Sequence, residues 1–346
     1  MIKKNNLVIQ KPLNLLTKYK IFSYLVFIMR PIPSISSAVD VKNVKKVLNK
    51  NYNTLSPIFF RFVSDWLIGA YSNFKDIDTY MILIYLVNND FKFYRENNIL
   101  IDYESFYKDK TLEIEEIKII KIAKDLLIPK ESARRKVAEL EKRGVIKRKA
   151  KKIFVDRSAY ETVKPTKSLR HLSLLISISS KILEDENKID KFYNPDEVSK
   201  KIKERFSFCW YQFYKFIFAY YIRWKKIFKD YELVCIGLLV FANAATNKSF
   251  ALKKLTAKKW VEEISKADSV GLNGMSISEI TGIPRPTVVR KLNKLIKAGW
   301  MNYNEKKLIS VSLSRETIKH RKKEQEKTLY MLSEMIHRIL NQITVN

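Results

Sequence analysis

The sequence predicts a mainly α-helical protein with small β-hairpins, built as a tandem duplication. Apolar residues recur at i, i+3, i+4 and i+7 through long stretches, the spacing of one helix face. Residues 128–148, IPKESARRKVAELEKRGVIKR, return without gaps 155 positions later as residues 283–303, IPRPTVVRKLNKLIKAGWMNY. Identities fall at Ile128/Ile283, Pro129/Pro284, Arg135/Arg290, Lys136/Lys291, Leu140/Leu295, Lys142/Lys297 and Gly144/Gly299. The offset recurs elsewhere: ETVK at 161–164 returns as ETIK at 316–319, and FKD at 74–76 returns at 228–230, one residue out of step. One Lys-rich helix can match another by chance, but three matches in register read as a duplication covering at least residues 59–164 and 213–319.

The elements follow in order. Residues 1–56 form a basic N-terminal extension with RPIPSISS in its middle. Its apolar run over 21–29 is short and lacks a small-residue cleavage pattern, which argues against a secretion signal. The first copy, 57–183, opens on a helix whose stripe Phe59, Phe62, Val63, Trp66, Leu67 and Ala70 reads as a core or helix-pairing face. Residues 76–90 and 112–126 read as two further helices. The next helix starts after Pro129, because the residue before a proline is biased to extended backbone, and stops at Gly144, the residue favoured after a last turn. A basic hairpin near Lys149 and a helix over 169–183 complete the copy. An acidic, proline-containing stretch opens a linker, 184–204.

The second copy, 205–346, repeats the plan. Its first stripe is Phe213, Phe216, Ile217, Tyr220, Tyr221 and Trp224, followed by a helix over 231–245, an insertion around 246–272 and a short helix over 277–281. Pro284 and Gly299 bracket the second quoted helix, a hairpin follows near Glu305, and a helix over 328–343 ends the chain. At 346 residues the two copies are each large enough to bury a core.

Composition narrows the function. With 66 Lys and Arg against 36 Asp and Glu, the formal charge of +30 repels itself unless it is spread out or neutralised by a polyanion, nucleic acid first and an anionic membrane surface second, and an A·T-rich genome is the competing source of part of the Lys and Asn excess. Two cysteines, Cys209 and Cys235, and three scattered histidines make neither a disulfide framework nor a zinc site, which fits a cytoplasmic protein. Seven glycines assemble no phosphate-cradling loop, and no apolar run reaches the length of a membrane span. The expectation is a binding protein without catalytic residues, cofactor, metal or membrane partner.

Ala133, Val137 and Leu140, matched by Val288, Leu292 and Leu295, form a narrow buried seam on the repeated helix. The outward positions are Lys130, Ser132, Arg134, Arg135 and Lys136 in the first copy, and Arg285, Thr287, Arg290, Lys291 and Lys294 in the second. Arginine reads guanine edges bidentately, while hydroxyls and lysines suit phosphates. An ion pair from Arg135 to Glu139 at i+4 is the competing use of that charge, but the equivalent partner of Arg290 is Lys294. A shared Arg without a shared carboxylate points to an external anion.

The pattern I-(A/S)-x-x-x-x-I-P-x-x-(S/T)-x-x-R-K-(V/L)-x-x-L-x-K-x-G, with a helix before it and a charged hairpin after it, resembles the helix-turn-helix of bacterial winged-helix transcription regulators. MarR-like proteins are nearest in element order, although their Asp-x-Arg pair has no counterpart in either hairpin here. The resemblance implies that the second helix of each motif enters the DNA major groove and that the hairpin, or wing, touches the neighbouring backbone or minor groove. The wing residues are Lys147, Arg148, Lys149, Lys151 and Lys152 in the first copy, and Lys306 and Lys307 in the second. It further implies a transcription regulator at the nucleoid, with an internal pseudo-dimer or a homodimer, double-stranded DNA as partner and room for a small-molecule effector. A plasmid or phage replication initiator, a structural chromosome protein and a membrane-surface protein are the alternatives.

Overall fold

The computed structural model of the chain describes residues 39–108, 110–156, 165–267 and 271–344. The architecture is mainly α-helical with two small antiparallel sheets. Of the expected N-terminal extension, residues 1–38 lie outside the described residues, as does the ETVK match at 161–164. The remainder of the extension belongs to the body. Helix α1 (Val41–Lys50) is capped by Asp40, whose carboxylate accepts from the Lys42 N–H at 2.7 Å. Its Val44, Val47 and Leu48 are buried, and it packs on α7 (Thr166–Asp185) and on the long final helix α15 (Arg315–Thr344).

The FKD repeat encodes a corner. Helix α2 (Tyr52–Phe74) ends on Phe74, Lys75 turns left-handed at φ 55°, and Asp76 caps α3 (Ile77–Glu96) through the Asp78 N–H at 3.0 Å. In the second repeat α9 (Phe206–Phe228) ends likewise, Lys229 takes φ 62°, and Asp230 caps α10 (Tyr231–Ala245) through the Glu232 N–H at 2.8 Å.

The expected helix over 112–126 is a strand and a shorter helix. After α4 (Tyr103–Lys108) comes β1 (Thr111–Glu115), in which Leu112 and Ile114 face the core and alternate with Glu113 and Glu115, a period of two. Only then does α5 (Ile119–Leu126) begin, followed by α6 (Lys130–Lys142). Strand β1 pairs with β3 (Lys152–Asp156), itself paired with β2 (Ile146–Lys149), giving the order β1-β3-β2. In the second repeat, β4 (Met301–Tyr303) pairs with β5 (Ile309–Val311), and among the described residues the place of the third strand is taken by one bridge, Leu272 to Ile309.

The expected linker, 184–204, is folded onto the body. Helix α8 (Pro195–Glu204) is capped by Asn194 and buries Val198 and Ile202 where it packs on α7 and α15. The insertion around 246–272 holds α11 (Lys248–Ala251), α12 (Ala257–Glu263) and a 3-10 turn (Ile264–Lys266). Trp260 of α12 is buried and stacks on Phe60 at 5.0 Å, which ties the insertion to α2.

Two separate cores were expected, and one continuous core is found. The reason is a reciprocal exchange: α2 packs on α10, and α9 packs on α3, so each repeat's first helix lies on the other's second. Where α2 meets α9 the aromatic contacts are reciprocal too, with Phe59 on Phe216 at 6.3 Å, Phe62 on Phe213 at 5.6 Å, and Phe62 on its own counterpart Phe216 at 6.3 Å. The aromatic stripes are therefore pairing faces. Cys209 and Cys235 are buried in this core, as are the residues in their places one repeat earlier, Leu55 and Met81.

Candidate nucleic-acid interface

In each repeat a short helix, a tight turn, a 13-residue helix and a hairpin follow one another. The elements are α5 and α6 in the first, and α13 (Gly274–Thr281) and α14 (Arg285–Lys297) in the second. The turn requires a left-handed residue, supplied by Leu127 at φ 54° and by Gly282 at φ 71°. Past the second helix, the Val145 N–H reaches back to the Leu140 carbonyl at 3.0 Å, and the Trp300 N–H to that of Leu295 at 3.0 Å. The seams Ala133, Val137, Leu140 and Val288, Leu292, Leu295 are buried as expected.

Two of the expected DNA contacts face inward instead. Lys136 is ion-paired to Asp76, and Lys291 to Asp230 and, at 2.8 Å, to Glu232. Each lysine thus binds its helix to the carboxylate that caps the second helix of its own repeat. Geometry explains the inward turn: Lys136 is three residues after Ala133 and four before Leu140, so it lies on the seam side. Lys291 stands in the same relation to Val288 and Leu295. Burial works to raise the Asp76 pKa, but the hydrogen bond and charge of Lys136 outweigh it and hold the carboxyl below its ordinary value.

Other expected contacts are engaged at the surface. Arg134 pairs with Glu131 at 2.8 Å, Arg148 donates two hydrogen bonds to Glu141 at 2.8 and 2.7 Å, and Lys152 pairs with Glu113 on β1. Ser132 and Thr287 are half-buried. The expected competitor for Arg135 does not form, because Glu139 pairs with Arg143. Arg135 and Arg290 are both exposed, and neither makes an ion pair among the described residues. The same holds for Lys130, Lys147, Lys149 and Lys151 in the first repeat and for Arg285, Lys294, Lys306 and Lys307 in the second.

The repeats brace each other's turns. Lys225, buried on α9, pairs with Asp78 of α3 and lies 3.4 Å from the Leu126 carbonyl at the first turn, while Lys75 at the end of α2 lies beside Gly282 of the second. Sequence reasoning also missed exposed side chains on these surfaces: Val289 and Asn293 on α14, and Lys118, Lys121 and Lys124 along α5. The three lysines were legible, since they recur every third residue.

Among the described residues no group of His, Cys, Asp and Glu is placed to hold a metal ion, and no helix is long and apolar enough to cross a membrane. A cavity of about 20 Å³, lined in part by Trp224, Trp300 and Arg321, has the room of one water molecule. Compared with known proteins, the chain matches no family model, and no curated protein or solved structure is significantly similar to it.

Proposed function

We propose that the chain is a sequence-selective double-stranded DNA-binding protein that regulates transcription. In this reading two winged-helix modules in one chain act as a pseudo-dimer, and the DNA undergoes no chemistry. The observation that carries it is the pair Arg135 and Arg290, exposed and without an ion-pair partner among the described residues at equivalent positions of twin helices. An arginine left unpaired in both repeats, on helices otherwise held by matching part-buried ion pairs, is suited to an external anion.

Helices α6 and α14 enter the major groove of two half-sites, and Arg135 and Arg290 reach base edges there. The hairpin lysines, together with Lys130, contact phosphates, fixing register without reading sequence. The reciprocal packing of α2, α3, α9 and α10 supports one chain as the pair of modules, because the second motif packs on α2 as well as on α10, and Lys225 of α9 lies 3.4 Å from the Leu126 carbonyl at the turn of the first. If Lys130, Lys147, Lys149, Lys151, Lys306 and Lys307 all touch phosphates, the logarithm of affinity falls against log salt with a slope of roughly −5.

The test is selection of bound fragments from sheared host DNA by the purified chain at about physiological salt. Enrichment of a few promoter-proximal sites with a two-part motif is expected. Uniform recovery that vanishes with salt refutes sequence selectivity, and enrichment of a single locus of iterated repeats replaces the regulator with a replication initiator.

A further inference from the structure

We infer that the two modules read different bases: beside the contact of the shared arginine, α14 selects an A·T pair where α6 selects a second G·C pair. The inference rests on the DNA-binding reading above and adds the base class that each module recognises. At the offset of 155, the exposed faces of the two helices agree at Lys130/Arg285, Ser132/Thr287 and Arg135/Arg290. They differ at Arg134/Val289 and Ala138/Asn293, all four exposed, and at Glu131/Pro286. Residues four apart are neighbours on one helix face, so Val289 and Asn293 form one strip and Arg134 and Ala138 the matching strip.

The chemistry of the strips differs. An asparagine amide pairs bidentately with the N6 and N7 edge of adenine, and an apolar side chain contacts the thymine methyl group. Val289 is 42% exposed and stands one turn after Arg285, and the side chain of the exposed Asn293 has no hydrogen-bond partner among the described residues. Together they present to adjacent base pairs the two groups that the major-groove edge of A·T accepts. Helix α14 carries no carboxylate, the side chain that most directly accepts from cytosine. On α6, Arg134 takes the place of Val289; its Nε donates to Glu131 at 2.8 Å, which leaves its two terminal Nη groups to donate to guanine O6 and N7. An adenine-reading asparagine has no equivalent there, since Ala138 stands in its place.

The experiment selects duplexes from a random library with the full chain and with Asn293→Ala and Val289→Ala, in parallel with thermal melts. Both residues are exposed, so melts at the parent temperature are expected. The parent chain should return a motif whose halves differ, one holding an A·T step. Asn293→Ala should relax the adenine preference at that half by about tenfold and leave the other half unchanged. Replacing the contacted thymine by uracil removes only the methyl group. It should weaken the parent by about fourfold and leave Val289→Ala unaffected. Two identical halves, or base preferences that neither substitution alters, overturn this inference alone. A library returned without any enriched motif refutes sequence-selective DNA binding, and the inference falls with it.

Discussion

Lys291 and Arg290 are neighbours in sequence and should behave as opposites. Lys291→Met keeps the length of the chain but removes the charge that faces Asp230 and, at 2.8 Å, Glu232. The lysine is 7% exposed, whereas the two carboxylates are 32% and 29% exposed, so part of their charge remains solvated after the substitution. Breaking a fully buried pair costs about 3–5 kcal/mol, and partial solvation of the carboxylates lowers this to about 2–3 kcal/mol. At about 2.1 cal/mol/K of unfolding entropy per residue, the melting temperature of the 346-residue chain should drop by about 3–4 °C. Arg290→Ala removes an exposed, unpaired side chain and should leave the melting temperature within about 1 °C, while weakening specific DNA by about 1–3 kcal/mol. Thermal melting followed by circular dichroism, paired with DNA titration at fixed salt, measures both. If Lys291→Met melts with the parent while Arg290→Ala melts early, the assignment of one lysine to the interior and one arginine to the exterior is wrong.

Three further predictions concern the rest of the molecule. Burial pushes the thiols of Cys209 and Cys235 up to about 12, so both should resist alkylation at pH 8 in the native protein and react once it is unfolded; rapid native labelling would contradict their place in the core. His171 and His337 are held below the ordinary 6.5, first by burial, so the unfolded chain takes up protons that the fold refuses and stability falls as pH drops through about 6.5. Replacing both with Gln should flatten the melting temperature between pH 7.5 and 5.5. The depressed carboxyl of Asp76 adds stability above 3.8 that is lost as pH falls through its still lower folded value, so an acid limb should survive in that variant. Leu127 occupies a left-handed position that Gly282 fills in the second repeat, so Leu127→Gly should stabilise the chain by about 0.5–1 kcal/mol in urea unfolding, and a loss of stability would refute strain at that turn.

Much of the local structure was legible in the sequence. Pro129 and Gly144, with Pro284 and Gly299, bracketed the two 13-residue helices because proline restricts the backbone before it and glycine tolerates the left-handed turn that follows. The seams were legible from their spacing. Strand β1 was not, because Leu112 and Ile114 sit at the edge of a run of isoleucines that satisfies helical spacing as well as strand alternation. Pairing with β3 decides between the two, and β3 lies about forty residues away.

The candidate site divides the same way. Sequence by itself determined that two basic helices stand at equivalent places and that Arg135 and Arg290 share no local carboxylate. It did not determine that Lys136 and Lys291 turn inward, since their acceptors Asp76 and Asp230 lie 60 and 61 residues upstream and become neighbours only when α3 and α10 pack on α6 and α14. Nor did it determine that the repeats would share one core. Each stripe of phenylalanines could have closed on its own repeat, and it is the crossing of α2 with α9, seating Phe59 on Phe216 and Phe62 on Phe213, that joins them. Helical periodicity and turn chemistry act within a few residues and so are written locally, whereas burial of charge and choice of packing partner depend on which surfaces meet after folding.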